Sequence, residues 1–223
     1  MNTTLLVIVV VVVVAAVMFF QYQAHKKKVE AFTALAGERG WRYTERDRGL
    51  ARRFTGTPFG EGHGRDARHV LTGTHRGRPV LAFEYSYKET RGSGDDRRTR
   101  TYHYTIVSTG LPAPKPTLQL NREGLGRKLL GFVGVRDLQL ESDEFNRTFH
   151  IRTENDRFAY DVLHPRMMEW MLADERALTT PFRFEQADLL TWQEGKIDVS
   201  DVDALLNYLC DVLDHVPTFV WKP

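Results

Sequence analysis

The sequence lacks the short motifs that identify many hydrolases, zinc proteins and nucleotide-binding proteins. It contains no G-x-S-x-G, no H-E-x-x-H, no G-x-x-x-x-G-K-[ST] and no C-x-x-C. Cys210 is the single cysteine, so an intrachain disulfide is excluded, and we interpret it as a packing residue. The sequence therefore predicts no catalytic residue, no cofactor and no metal site.

Charged residues are also absent from the start of the chain, where Leu5 to Phe20 form an unbroken apolar run. A bilayer core about 30 Å thick requires roughly 20 helical residues at about 1.5 Å each. The run reaches that length when the flanking Thr3, Thr4, Gln21 and Tyr22 are included. The sequence thus predicts a transmembrane helix that contacts the lipid bilayer through residues 3–22.

Two alternatives to a retained anchor are a cleaved signal peptide and a buried core helix. A signal peptide has a basic N-terminal region and small residues before its cleavage site. Here the residues before the apolar run are MNTT, and cleavage after Ala24 would place Tyr22 where a small residue belongs. We therefore expect residues 1–25 to be a retained, single-pass anchor.

Basic residues follow the apolar run directly, at Lys26, Lys27 and Lys28. Lys and Arg beside a transmembrane helix are held on the cytoplasmic side. The sequence therefore predicts a cell-membrane protein with a short N-terminus outside and the C-terminal domain in the cytoplasm.

The net charge of +2 conceals an uneven distribution along the chain. Residues 26–53 contain nine basic and four acidic side chains, whereas the rest of the chain has a net charge of −3. A basic segment beside a membrane attracts anionic lipid headgroups. Lys26, Lys27 and Lys28 are thus candidate lipid contacts, although they also suffice as a topology signal alone.

The remaining pattern predicts an α+β fold, with a basic juxtamembrane segment at 26–37 and a soluble domain at 38–223. Strands are expected in a mostly antiparallel sheet packed with helices, because apolar residues alternate with polar ones in several stretches. An amphipathic C-terminal helix is expected to be capped by Ser200 and to stop at Pro217. The other expected elements are strands at 71–74, 79–88, 100–108 and 117–120, a turn at 75–78, a helix from Pro165, a hairpin over 182–193, an extended connector at 111–116, and loops or turns at 54–66, 89–99 and 121–128.

Two polar stretches invite comparison with functional sites. Gly60, Gly62 and Gly64 lie in a loop that leads into a strand, whereas a phosphate-binding glycine loop leads into a helix, so we interpret them as a structural turn. The acidic cluster at 141–144 has His150 as its nearest histidine and no further ligand at a recurring spacing, which favours a solvated turn.

The apolar anchor is followed by seven characteristic segments, ALAGERGWRY, GTPFGEGHGR, GTHRGRPVLAFEY, STGLPAPKPTL, ESDEFNRTFHI, LHPRMMEWML and LLNYLCDVLDHVPTFVW. Together with the anchor they resemble a group of actinobacterial single-span membrane proteins of unknown function. The resemblance runs nearly end to end and implies the same anchored α+β architecture, but it transfers no catalytic residue.

The sequence leaves three classes of function open. The leading hypothesis is a non-enzymatic binding or scaffold module at the inner membrane face, with an unidentified protein partner. The first alternative is a membrane-tethered enzyme with a pocket formed by His63, His69, Asp143, Glu144 and His150, which would have to converge in space. The second is a binder of anionic lipid or nucleic acid. Nucleic acid is not expected, because the part of the chain rich in tyrosine and arginine is net acidic.

Overall fold

The computed structural model describes residues 3–92, 96–122 and 136–222 of the 223-residue chain. Helix α1 extends without interruption over Thr3–Arg39. Residues 6–22 are exposed on every side, and α1 is the one helix within the described ranges that is long and apolar enough to cross a membrane. An apolar helix exposed all round suits lipid, because each backbone polar group is satisfied within the helix itself.

The second half of α1 packs against the domain, and the chain then reverses direction. Phe32 and Ala36 are buried, and Gly40 adopts a positive φ of 64° directly after the helix, as glycine commonly does at a helix C-terminus. Strand β1, Arg42–Arg46, then follows. Its Tyr43 stacks on Phe32 and its Glu45 pairs with His25, so β1 runs back along α1 towards the apolar half of the helix.

The described strands form an antiparallel sheet in the order β1-β2-β3-β4-β6-β5, with β7 paired to β4. Residues 104–109 of β4 pair with β3 and β7 at once, and residues 118–120 pair with β6 and β7 at once. Strands β3 and β6 therefore share one edge of β4, and β7 occupies the other. The strands after β1 are β2 His63–His75, β3 Arg78–Arg91, β4 Arg98–Arg122, β5 Arg136–Leu138, β6 Phe149–Thr153 and β7 Phe182–Glu194.

Helices cover one face of this sheet, and a loop covers the other. The helices after α1 are α2 Asp143–Thr148, α3 Asp156–Val162, α4 Pro165–Ala173, α5 Glu175–Thr179 and α6 Val199–His215, with short 3-10 turns at Leu50–Arg52 and Thr218–Trp221. The helix-covered core contains Phe32, Phe184 and Leu206. The core on the opposite face contains Phe59 and Tyr85 among other aromatic residues.

The α+β fold with a mostly antiparallel sheet is confirmed. The turn at 75–78 joins β2 to β3 through Arg76 and Gly77, both with positive φ, as tight hairpin turns require. Helix α4 begins at Pro165 as predicted. Cys210 is buried in α6, where burial raises the pKa of its thiol, in keeping with a packing role.

Two predicted interruptions of the sheet are wrong. The predicted connector at 111–116 lies inside β4, and the predicted hairpin over 182–193 is the single strand β7. The pairing of these two strands is irregular between Gly110 and Leu118, and Gln186 of β7 has a positive φ of 54°. The prolines and polar residues here therefore occupy a bulged part of the ladder, which accommodates residues that a regular strand excludes.

Smaller differences concern element ends. Asp198 caps α6 in place of Ser200, because the Asp198 carboxylate accepts hydrogen bonds from the Ser200 backbone N–H and hydroxyl at 2.9 and 2.8 Å. The predicted loop at 54–66 ends where β2 begins at His63. Strands β3 and β4 shorten the predicted loop at 89–99. The turn over 121–128 falls largely outside the described residues.

Candidate functional site at the junction of anchor helix and sheet

A bulge in β2 directs one histidine against the anchor helix. The pairing of β2 with β3 is irregular between Arg68 and Leu71, and His69 there has a positive φ of 50°. This conformation is uncommon for a residue other than glycine. The His69 ring stacks on Phe32 of α1 with centroids 5.2 Å apart, and its Nδ1 lies 2.9 Å from the Tyr43 hydroxyl oxygen. The bulge thus joins sheet and anchor helix through aromatic contacts.

Burial sets the protonation of this pair. Burial, reinforced by the nearby Lys28 charge, lowers the pKa of His69 from 6.5 to about 4. Burial also raises the pKa of Tyr43 to about 12, with a further contribution from Glu45. At neutral pH His69 is therefore uncharged, and its Nδ1 shares a hydrogen bond with the Tyr43 hydroxyl.

A second polar contact joins α1 to the middle of the sheet. Lys28 Nζ lies 2.8 Å from Glu84 Oε2, and His103 Nδ1 lies 3.0 Å from Glu84 Oε1. Burial alone would raise the pKa of Glu84, but hydrogen bonds and charge from Lys28 and His103 hold it below its ordinary value of 4.5. Glu84 is therefore a buried anion at neutral pH, matched by a lysine from the anchor helix.

The three predicted lipid-contact lysines occupy different surroundings. Lys28 is partly buried by its ion pair with Glu84. Lys26 is exposed, and its Nζ lies 3.8 Å from Oε1 of Glu30 one turn along the helix. Lys27 is also exposed. Their contact with lipid remains a prediction, and Lys28 also has a structural role in the junction.

The five residues named for an enzymatic pocket do not converge. His63 lies at the start of β2, where its Nε2 is 3.0 Å from the Thr90 hydroxyl, and His69 lies in the junction. Asp143 and Glu144 occupy the exposed first turn of α2. His150 lies in β6, where its Nε2 is 3.2 Å from Oδ1 of Asp137. Within the described ranges, no three His, Cys, Asp or Glu side chains are grouped as metal ligands.

An arginine-rich cleft of about 630 Å³ lies on the loop-covered side of the sheet, opposite to α1. Its wall is formed by Arg48, Arg52, His63 and Arg65 with intervening small residues. Arg65 also donates hydrogen bonds to backbone carbonyls of the glycine-rich loop, including that of Glu61 at 2.9 Å. This local bonding supports the interpretation of the loop as a turn, but the sequence did not indicate that residues 48–52 would lie beside it.

Comparison with known proteins connects this architecture to one solved structure. The fold is similar to the crystal structure of the mycobacterial trehalose monomycolate transport factor A, TtfA, with a TM-score of 0.60 and 16% sequence identity. This chain shares the TtfA fold. The similarity covers 84% of this chain and 95% of that chain. Neither a protein-family model nor a curated protein matches the sequence.

Sequence reasoning named Lys28 and His69 for other roles and missed both Glu84 and the junction that these residues form. Glu84 carries a detectable signal, because it is the one charged residue within the strand segment VLAFEYSY, and a charge there calls for a partner. His69 carries no such signal. Its orientation depends on the bulge, which lies in the pairing of β2 with β3.

Proposed function

We propose that this chain is a membrane-anchored accessory protein that binds a partner within a membrane transport system and catalyses no reaction itself. The observation that carries the proposal is the continuity of α1. One helix includes the apolar segment and also contributes Phe32 and Ala36 to the core of the domain. The domain is thus attached to its anchor by packed structure rather than by a linker, which suits a module that must present a surface at a defined position above the bilayer.

The similarity to TtfA supports the accessory role. That protein is described as a transport factor for trehalose monomycolate, and nearly its whole chain corresponds to this fold. A role in transport agrees with a domain whose predicted catalytic candidates are dispersed. We propose the same class of role here, with a membrane transport protein as the partner.

The orientation in this proposal follows from charge. Lys26 and Lys27 are exposed at the end of the apolar segment, and such residues stay on the cytoplasmic side. We therefore place the domain at the inner face of the cell membrane, where both lysines also face the headgroup region. A reporter enzyme fused after residue 223 should be active only in the cytoplasm, and external activity would overturn this orientation.

Crosslinking in native membranes tests the accessory role. The full-length chain, carrying a photoreactive residue at an exposed domain position, should form a discrete adduct with an integral membrane transport protein. A Gly-Ser-Gly-Ser insertion between Ala24 and His25 should reduce adduct formation several-fold, because it breaks the helical connection. Insertion of four alanines at the same point is the matched control, since it keeps the helix continuous.

Two results would contradict the proposal. Equal crosslinking by the two insertion variants would show that the continuous helix does not position the domain for its partner. Substrate turnover by the purified full-length chain would favour the enzymatic alternative, in which distant residues form an unrecognised active site.

A further inference from the structure

The direction of the strands places one end of the sheet on the membrane side of the domain. Strand β1 runs back along α1 towards its apolar half, as its contacts with Phe32 and then His25 show. Because β2, β3 and β4 follow in antiparallel order, the start of β2, the end of β3 and the start of β4 lie at the same end as the finish of β1. That end of the sheet is the one nearer to the apolar half of α1.

The β3–β4 hairpin extends well beyond the point where the sheet meets α1. Glu84 marks this point, since it pairs with Lys28. From Glu84 to Arg91 the strand advances about 23 Å at about 3.3 Å per residue, whereas α1 needs only about 9 Å to pass from Lys28 to Tyr22. Even a strand inclined by about 45° to the helix advances about 16 Å. The hairpin therefore reaches the level at which Tyr22 is expected to meet the headgroups.

This end of the sheet is strongly basic. We define the membrane-side end as residues 47–52, 61–65, 86–92 and 96–102. It contains eight basic and four acidic side chains, and the sequence adds one acid, Asp95, between the last two ranges. The basic residues are Arg48, Arg52, Arg65, Lys88, Arg91, Arg97, Arg98 and Arg100, and the acids are Asp47, Glu61, Glu89 and Asp96.

Most of these basic side chains are not neutralised by their described neighbours. Arg91 pairs with Glu89 at 3.2 Å, and Arg100 lies over the ring of Tyr102. Arg48, Arg52, Arg97 and Arg98 are exposed and form no ion pair with a described residue.

We propose that the membrane-side end of the sheet contacts anionic lipid headgroups of the membrane that holds α1, and that the cleft beside Arg48 and Arg52 receives a headgroup phosphate. The anchor keeps this surface at a high local concentration near the bilayer, so individually weak contacts suffice. Arginine suits phosphate because its planar guanidinium presents paired donors. The lipid contact requires the anchored placement but not the transport partner proposed above, so either proposal can fail alone.

A depth-sensitive fluorophore tests this contact on the full-length chain in nanodiscs. Thr99→Cys places the label on the hairpin, and Thr74→Cys places a matched label at the opposite end of the sheet; both threonines are exposed. The native Cys210 is buried and should not be labelled. Quenchers attached to headgroups should quench the Thr99→Cys label in discs containing phosphatidylglycerol and much less in discs of phosphatidylcholine alone. The Thr74→Cys label should remain unquenched in both.

Salt and charge variants identify the cause of the quenching. Raising salt from about 0.1 M to about 1 M shortens the Debye length from about 10 Å to about 3 Å and should release the hairpin. Arg97→Gln/Arg98→Gln, and separately Arg48→Gln/Arg52→Gln, should each weaken hairpin association about fivefold for each arginine removed, equivalent to about 1 kcal/mol per residue. The control Arg157→Gln/Arg166→Gln removes two exposed arginines from α3 and α4 and should leave quenching unchanged.

Several results would overturn the proposal. Quenching that is equal in the two disc compositions, insensitive to salt or equally reduced by the control pair would exclude recognition of anionic lipid. Binding of inorganic phosphate at the cleft without any lipid dependence would assign the cleft to a soluble anion. The salt titration uses unaltered arginines, so it remains decisive if an arginine variant folds poorly.

Discussion

The two faces of the sheet are stabilised by different interactions. On the helix-covered face, apolar side chains such as Phe184 and Leu206 pack beneath α1 and α6. On the loop-covered face, aromatic residues surround the fully buried Arg183. Its guanidinium lies 5.1 Å from the Trp192 ring and 5.8 Å from the Phe59 ring. The first core is mainly apolar and has the Lys28–Glu84 pair at its junction with α1, whereas the second core surrounds a fully buried arginine with aromatic rings.

The network around Arg183 explains how the short, glycine-rich loop before β2 is held against one face of the sheet. Arg183 pairs with Glu185 at 2.9 Å and donates hydrogen bonds to the carbonyls of Thr55 and Thr57 at 2.6 and 3.2 Å. Glu185 in turn accepts hydrogen bonds from the Thr55 backbone N–H and hydroxyl. Burial lowers the pKa of Arg183 to about 10, so it stays cationic at neutral pH. This loop is therefore held by polar contacts to Arg183 and Glu185 in addition to the buried rings of Phe54 and Phe59.

The largest expected effect comes from breaking that polar network. Arg183→Met should lower the free energy of unfolding by about 4 kcal/mol, because it leaves Glu185 as a buried charge without its main partner. Urea denaturation of the full-length chain in detergent measures this. The double variant Arg183→Met/Glu185→Leu should recover part of the loss. A loss below about 1 kcal/mol for Arg183→Met would show that the two faces do not differ as described.

A cavity on the helix-covered face should have a somewhat smaller effect. Leu206 of α6 is completely buried, and Leu206→Ala should cost about 3 kcal/mol through lost apolar contact and the cavity left behind. Leu206→Met is the matched control and should cost less than about 1.5 kcal/mol, because it nearly preserves the volume. If the two variants cost the same, packing does not determine the stability of this face.

The junction of α1 with the sheet includes a titrating contact at His69. The folded-state pKa of about 4 lies below the ordinary 6.5, so the unfolded chain binds more protons between these values and stability falls with falling pH. Between pH 7 and pH 5 this contributes a loss of roughly 2 kcal/mol. In denaturation experiments at the two pH values, His69→Gln should reduce the difference. An unchanged difference would assign the pH dependence to other groups.

The smallest expected effect concerns a hydroxyl in the same core. Tyr208 is buried, and its hydroxyl donates a hydrogen bond to the Thr180 carbonyl at 3.3 Å. Tyr208→Phe should cost about 1 kcal/mol, since one neutral hydrogen bond is lost and the ring remains. A cost as large as that of Arg183→Met would mean that polar contacts dominate on both faces, which would remove the contrast between them.

Local sequence patterns predicted the helices and strands well, but they predicted the pairing between strands less well. The apolar run, the turn at 75–78 and the start of α4 at Pro165 depend on residues adjacent in sequence, and each was predictable. The bulge shared by β4 and β7 was not, because the prolines at 112–116 and the polar residues near Gln186 each suggested a break when considered alone. Only the pairing of the two strands shows that they bulge together.

The sequence by itself determined that the chain has an apolar helix long enough to span a membrane and an α+β domain, because hydrophobic length and periodicity are local properties. Tertiary structure alone decided that α1 continues into the core, that Lys28 is matched by Glu84, and that the arginines at 48 and 52 lie beside His63 and Arg65. These arrangements bring together residues far apart in sequence. They depend on strand order and register, which no single segment encodes.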